Sequence, residues 1–384
     1  MNAKRTLGDG PRRGGILIAG GGTAGHVLPG LAVAAALVER GVVAGRSDVH
    51  LVGSRRGVEV ELVPAAGFGL TVLGGRGIQR RLTPANVGAL IGLLAGFLRA
   101  FLLLSRARPR VVLSLGGYAS IPCGLAAVAL RVPLVVAEQN AVPGAANRLL
   151  GRFARACAVS FAGTALPRPE LTGNPVRASI RSAVDTRVEA RDRLGVGERS
   201  LLVAFGGSLG ARRLNRAVAD FVEGWGGGPL VVRHVVGSRG WSAGEMATEL
   251  PAGVEYLAVA YEHDMPTLLA AADLVVCRSG ATSVAELAVL GVPSVLVPLP
   301  GAPGDHQTAN ARHLSESGGA VLLADADLDG STLDGILGRL LADAPRRDSM
   351  AASARSTALP DAADRVVDLI LRHATGRCED VPDA

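Results

Sequence analysis

Lysine is almost missing from this chain: of 40 basic residues in 384, Lys4 is the only one that is not arginine. A P-loop, whose GxxxxGK[ST] pattern needs a lysine to reach the phosphates, is therefore excluded. Aromatic residues make up 3% of the chain, too few for the stacking platforms that hold single-stranded nucleic acid. No nucleic-acid partner is expected. The net charge of +6 points instead to an anionic lipid surface or to phosphorylated small molecules. Cys123, Cys157, Cys277 and Cys378 lie far apart with no CxxC pair, which argues against a disulfide framework and a zinc cluster. Long apolar runs are scarce too. The stretch 87–98 offers 12 uninterrupted apolar or glycine residues before Arg99, whereas a bilayer crossing takes about 20. The early run GILIA (15–19) meets glycines at once, so no signal peptide is visible and the cytoplasm is the expected place of work.

What is present reads as α/β. The length favours two domains, and short apolar runs alternate with longer Ala/Leu/Arg stretches. GILIA (15–19), VHLVG (49–53), VVLSLG (111–116), PLVVAE (133–138) and CAVSF (157–161) lack polar alternation, as strands buried on both faces of a parallel sheet do. The pattern then restarts with LLVAF (201–205), VVRHVVG (231–237), VEYLAVA (254–260), DLVVC (273–277), SVLVPL (294–299) and AVLLA (320–324). A Pro- and Arg-rich stretch, 163–187, reads as the connection. Residues 360–373 carry apolar positions at helical spacing and predict a terminal helix before a frayed tail. The expected domains are 12–178 and 179–355, with 356–384 as a terminal segment.

Strand one runs into GGGTAGH (20–26), and the first strand of the second half runs into GGSLGA (206–211). Such glycine-rich turns bring backbone N–H groups close to an anionic ligand. Neither is a good dinucleotide fingerprint, and an ordinary turn role remains open for both. The second half holds a more specific constellation in CRSGATSVAEL (277–287) and GVPSVLVPLPGAPGDHQTANA (291–311). Glu286 lies a helical turn and a half beyond Ser279 and Gly280, and a carboxylate with two acceptor oxygens suits the adjacent hydroxyls of a ribose. Gln307 and Asn310, at i and i+3, share a helix face from which their amides can meet sugar hydroxyls. A solvated Glu286 and capping or surface roles for the two amides are the plainer readings.

GGGTAGH (20–26), GGY (116–118), EQNAVPGAANRLL (138–150), GNPVR (173–177), GGSLGARRLN (206–215), YEHDMPTLLAAADLVVCRSGATSVAEL (261–287) and DHQTANA (305–311) resemble, in order, the motif series of the MurG family. These are the UDP-N-acetylglucosamine-dependent transferases that glycosylate undecaprenyl-pyrophosphoryl-N-acetylmuramyl-pentapeptide in peptidoglycan synthesis. The resemblance implies a GT-B fold, two Rossmann-like parallel-sheet domains facing across a cleft, with the acceptor and membrane at the first and UDP-GlcNAc held mainly by the second. It implies that Thr23, Ala24 and Gly25 line the reacting sugar and the acceptor diphosphate, and that Gly116, Gly117 and Tyr118 serve the acceptor. Asn140, Arg177 and Ser208 match donor-contacting positions. Glu262 falls where uracil is met, Ala281, Thr282, Ser283, Val284, Ala285 and Glu286 where the sugar nucleotide is clasped, and Gln307 where the GlcNAc hydroxyls are read. Ala137 and Leu209 depart from the family pattern, which commonly has histidine and glutamine there.

Transfer with inversion needs a base for the acceptor hydroxyl and stabilisation of the departing diphosphate. His26, at the first glycine turn, is the best placed base, with a loop-orienting or phosphate-binding role as its alternative. Glu138 is the other candidate. No DxD-like metal motif appears in the relevant loops, so no metal or other cofactor is expected, and helix ends and Arg177 take the leaving-group charge. Arg76, Arg80 and Arg81 precede the apolar 87–104 stretch and suggest peripheral attachment to an anionic membrane surface, on the cytoplasmic face. An amphipathic core helix beside a solvated basic loop is the ordinary reading. UDP-GlcNAc 2-epimerases share the expected architecture as a second enzyme class, glycolipid synthases and natural-product glycosyltransferases are closer rivals, and a membrane-docking or donor-binding subunit is the non-enzymatic alternative.

Overall fold

The computed structural model describes residues 10–55, 57–74, 85–207 and 209–375. Two compact units divide the chain: one runs through Arg177 and resumes at Leu359, the other is Ala178–Ala358.

In the first unit the valine-, leucine- and isoleucine-rich runs become β1 (Ile16–Gly20), β2 (Val49–Ser54), β3 (Gly69–Leu73), β4 (Val111–Gly116), β5 (Leu134–Glu138), β6 (Ala156–Val159) and β7 (Pro169–Leu171). They pair in the order β3-β2-β1-β4-β5-β6-β7, every pair parallel. Leu17, Val112, Leu113, Val135 and Val136 are wholly buried, as strands covered by helices on both faces must be. The helix Ala362–His373 returns to this sheet: Val366, Val367, Leu369 and Ile370 join the core with Ile16, Leu113 and Val135. Its apolar stripe makes it part of the first unit's core. Arg40 Nη2 donates to Asp368 at 2.7 Å on the rim of this packing.

The second unit repeats the scheme with β8 (Ser200–Phe205), β9 (Leu230–Val235), β10 (Val254–Val259), β11 (Leu274–Cys277), β12 (Ser294–Leu296) and β13 (Ala320–Leu322), ordered β10-β9-β8-β11-β12-β13. All its pairs are parallel as well. Strand order reverses between β1 and β4 and again between β8 and β11. These are the points at which an open α/β sheet leaves a crevice beyond its strand ends.

The expected α/β class and its eleven strands are present. Two further strands were not expected. GLTVL (69–73) is interrupted by glycine and threonine, and the three-residue β7 begins with Pro169, which an edge position tolerates because proline has no N–H to donate. Among the described residues no helix is long and apolar enough to cross a membrane.

Candidate active site

After β1 the chain turns through Gly21 (φ 156°) and Gly22 (φ 99°) into the helix Ala24–Glu39. Side chains rarely adopt these angles, so glycine is needed here. Thr23 caps the helix through its carbonyl, which accepts from the N–H of His26 (3.1 Å) and Val27 (3.2 Å). Thr23 Oγ1 lies 3.1 Å from His26 Nδ1. The second turn of this unit, after β4, lies alongside: a Cβ on Gly117 would run into the Gly21 carbonyl, and one on Gly116 would stand 3.3 Å from both His26 Nε2 and Asn147 Nδ2. Ser120 Oγ bridges the carbonyls of Ala19 (2.8 Å) and Gly116 (2.7 Å), tying the two strand ends together. The Tyr118 hydroxyl is shared between the carbonyls of Gly74 (3.0 Å) and Gly92 (2.9 Å), and burial raises its pKa.

Glu138 ends β5 and is buried. One carboxylate oxygen accepts from Asn140 N–H (3.0 Å) and Nδ2 (3.1 Å), the other from Gly144 N–H (2.9 Å) and Asn147 Nδ2 (2.9 Å). Four donors on one carboxylate fix the loop 138–147.

In the second unit the turn after β8 passes through Gly207 (φ 95°) and Gly210 (φ 83°) before the helix Arg212–Glu223. A Cβ on Gly210 would meet the Val236 carbonyl. That carbonyl accepts from Asn215 Nδ2 at 2.9 Å, and Asn215 Oδ1 lies 3.2 Å from His234 Nε2, whose Nδ1 is 2.9 Å from the Tyr256 hydroxyl. Burial holds His234 near pKa 4, so it is neutral at pH 7.

After β11 come Arg278, Ser279 and Gly280, the cap of the helix Ala281–Leu290. Arg278 Nη1 donates to the carbonyls of Val297 (3.3 Å) and Pro298 (3.0 Å) and lies 2.6 Å from the Asp325 carboxylate. Ser279 Oγ donates to the Gln307 carbonyl (2.8 Å), while Gln307 Oε1 accepts from Leu299 N–H (2.9 Å). This lattice fastens the helix His306–Glu316 to the glycine turn. Glu286 sits on the buried side of its helix at 6% exposure, Thr282, Ser283 and Ala285 are part-exposed, and Ala281 and Val284 pack inward. Thr282 Oγ1 is buried with no hydrogen-bond partner among the described residues.

The structure thus groups Thr23, Ala24, Gly25, His26, Gly116, Gly117 and Tyr118 at one switch point, and Ala281–Glu286 with Gln307 at the other. Glu262, half-buried, accepts from Asp264 N–H at 2.7 Å. Arg177 closes the first unit, partly buried. Asn310 is fully buried and donates to the Ser279 carbonyl at 3.2 Å, which braces the turn. Ser208, Arg76, Arg80 and Arg81 lie outside the described residues. Sequence reasoning did not single out Glu59, Ser120, Asn215, His234 or Asp325.

A parallel sheet with a glycine turn at its switch point, twice over in one chain, defines the GT-B class. Residues 16–159 match the N-terminal domain of glycosyltransferase family 28 and residues 201–366 its C-terminal domain. A protein of Desulforudis audaxviator named UDP-N-acetylglucosamine–N-acetylmuramyl-(pentapeptide) pyrophosphoryl-undecaprenol N-acetylglucosamine transferase is 39% identical, over 92% of this chain and 97% of its own. A protein of the same name from Alkalilimnicola ehrlichii is 43% identical, over 94% and 99%. The crystal structure of Acinetobacter baumannii MurG aligns with a TM-score of 0.73 at 29% identity, covering 94% of this chain and all of that one. The chain belongs to glycosyltransferase family 28, in the branch to which these transferases belong.

Proposed function

We propose that this chain transfers N-acetylglucosamine from UDP-N-acetylglucosamine to the C4 hydroxyl of undecaprenyl-pyrophosphoryl-N-acetylmuramyl-pentapeptide, forming the β-1,4-linked lipid II of peptidoglycan synthesis. One observation carries the reading: the 39–43% identity, over more than nine-tenths of this chain, to proteins named for this transfer. Each sheet also ends at its switch point in a glycine turn, which gives each unit a place for a ligand. UDP-GlcNAc 2-epimerases share that architecture, so the identity and not the fold separates transfer from epimerisation.

The second unit takes the donor. The N–H groups opening the ten-residue helix Ala281–Leu290 favour a diphosphate, Glu286 the ribose hydroxyls, and Gln307 the sugar. Ser208, Arg177, Asn140 and Glu262 keep the donor contacts that the resemblance implies. The first unit takes the acceptor. His26 Nδ1 lies 3.1 Å from Thr23 Oγ1, and in the tautomer that donates there Nε2 is the nitrogen that takes the acceptor's proton. The acceptor oxygen bonds to the anomeric carbon as the bond from that carbon to the diphosphate oxygen breaks. UDP departs with the electron pair, the hydroxyl proton passes to His26 Nε2, and the anomeric centre inverts. Glu138, its carboxylate already filled with N–H donors, shapes the loop and leaves the base role to His26.

Peripheral docking on the cytoplasmic face of an anionic membrane fits an acceptor anchored in lipid and a donor dissolved in water. The helix Ala85–Ala107 supports it: Leu94, Leu98 and Leu102 are exposed at four-residue spacing, interleaved with exposed Arg99 and Arg106. The test is an assay of UDP release with and without the lipid-linked muramyl acceptor. Release should require both substrates and yield an inverted disaccharide lipid. Equal activity with UDP-glucose and unrelated acceptors, or a retained α-linkage, would overturn the reading.

A further inference from the structure

Beneath the first glycine turn lies a carboxylate that the mechanism above does not use. Glu59, 1% exposed, opens the short helix Glu59–Ala65, and its oxygens point back under the turn. Gly22 N–H donates to both of them, at 3.1 and 2.9 Å, and Ser54 donates to Oε1 through N–H (2.6 Å) and Oγ (2.8 Å). Every group facing it in this set is a donor. A carboxylate, which only accepts, satisfies all of them, whereas a glutamine amide would aim its own N–H at one. The neighbouring glycines make room for this group. A Cβ on Gly21 or Gly57 would overlap the carboxylate, and one on Gly53 would stand 2.5 Å from Glu59 Cγ and 2.9 Å from Oε1. Gly53 lies inside β2 with ordinary strand pairing to Val72. Its lack of a side chain is therefore explained by Glu59, not by the backbone.

We propose that Glu59 is a positioning residue for the transfer reaction, locking Gly22 and through it the helix start that presents Thr23 and His26. The linkage is short: Gly22 precedes Thr23, whose carbonyl receives the His26 N–H and whose hydroxyl meets the His26 ring. The carboxylate that receives the Gly22 N–H is itself held by Ser54 N–H and Oγ, which ties the turn to the end of β2. The turn then holds its shape before the acceptor arrives, and a shift of about 1 Å at such a place can cost on the order of 100-fold in rate. This rests on the reading of residues 20–26 as the acceptor-side half of the site.

The test uses two full-chain variants. Glu59→Gln removes the second acceptor oxygen, and Gly53→Ala pushes the carboxylate aside while keeping its charge. Each should lower kcat roughly 10- to 100-fold and leave the UDP dissociation constant from calorimetry within about twofold of the parent's. In a His26→Ala background, Glu59→Gln should cost less than about twofold more, because a residue acting through His26 has little left to act on. Parent-level kcat in both variants, UDP affinity lost in step with kcat, or a full additional loss on His26→Ala would overturn the proposal. If Glu59→Gln does not fold, Gly53→Ala alone and on His26→Ala carries the same measurements. A parent protein that binds UDP but shows no acceptor-dependent release defeats the functional reading itself, and is told apart from a failure of Glu59 alone.

Discussion

After β1 the chain turns over a buried carboxylate, Glu59, that accepts directly from the Gly22 N–H of the turn; after β8 it turns against the Val236 carbonyl, held by Asn215, whose Nδ2 also donates to Glu245 and whose Oδ1 meets His234. The two turns share a place in their sheets and differ in what braces them. Glu59 accepts from the turn's own backbone N–H, so the first turn is held directly at Gly22. The second turn is held one step removed, through a carbonyl whose partner side chain reaches both Glu245 and the buried His234. Duplicated geometry thus rests on different contacts, a carboxylate bound directly to the turn in one unit and a relayed side-chain network in the other.

The comparison breaks most visibly at His26. His26→Ala should lower turnover roughly 10²- to 10⁴-fold with UDP affinity unchanged, as steady-state kinetics and calorimetry together will read; near-parent turnover would move the base elsewhere. Acid should test the second brace next. Burial takes His234 from 6.5 to about 4, so the unfolded chain binds its proton first as pH falls. The stability this histidine contributes is complete above pH 6.5 and is lost between 6.5 and 4, by at most about 3 kcal/mol. Urea midpoints at pH 7 and 4.5 should show a smaller acid loss for His234→Gln than for the parent. His50, also buried and near 4, adds a parallel loss in the first unit that this substitution leaves in place.

Glu286→Ala sharpens the contrast from the donor side. It should weaken UDP binding by about 1 to 3 kcal/mol, the cost of a lost charged hydrogen bond, and unchanged calorimetric affinity would count against Glu286 as the ribose ligand. The smallest effect per residue belongs to Arg76, Arg80 and Arg81. Replacing each by glutamate should weaken binding to anionic vesicles by about 1 kcal/mol or more, in a salt-sensitive way; sedimentation that ignores both charge and salt would remove the membrane from the account.

Much of this was legible in the sequence because strands buried on both faces and glycine turns leave local signatures. GILIA running into GGGTAGH marks both the strand and the turn with no knowledge of the rest of the chain. What stayed hidden depends on contacts between distant segments. Glu59 looks like an ordinary acidic residue in a helix's first turn until the pairing of β1 with β2 brings it under Gly22. Asn310 shares a helix face with Gln307, as its spacing predicted, yet the period does not say that this position meets the Ser279 carbonyl. The donors around Glu138, from Asn140, Gly144 and Asn147, leave no mark in the sequence either, since they converge only when the loop closes.

The division of labour between the two units is the central claim, and hydrogen–deuterium exchange of the full chain with and without saturating UDP tests it most directly. Peptides covering residues 278–290 and 299–311 should gain protection, while those covering 20–26 and 116–118 should exchange as in the free protein. Protection of 20–26 with no change at 278–290 would contradict it.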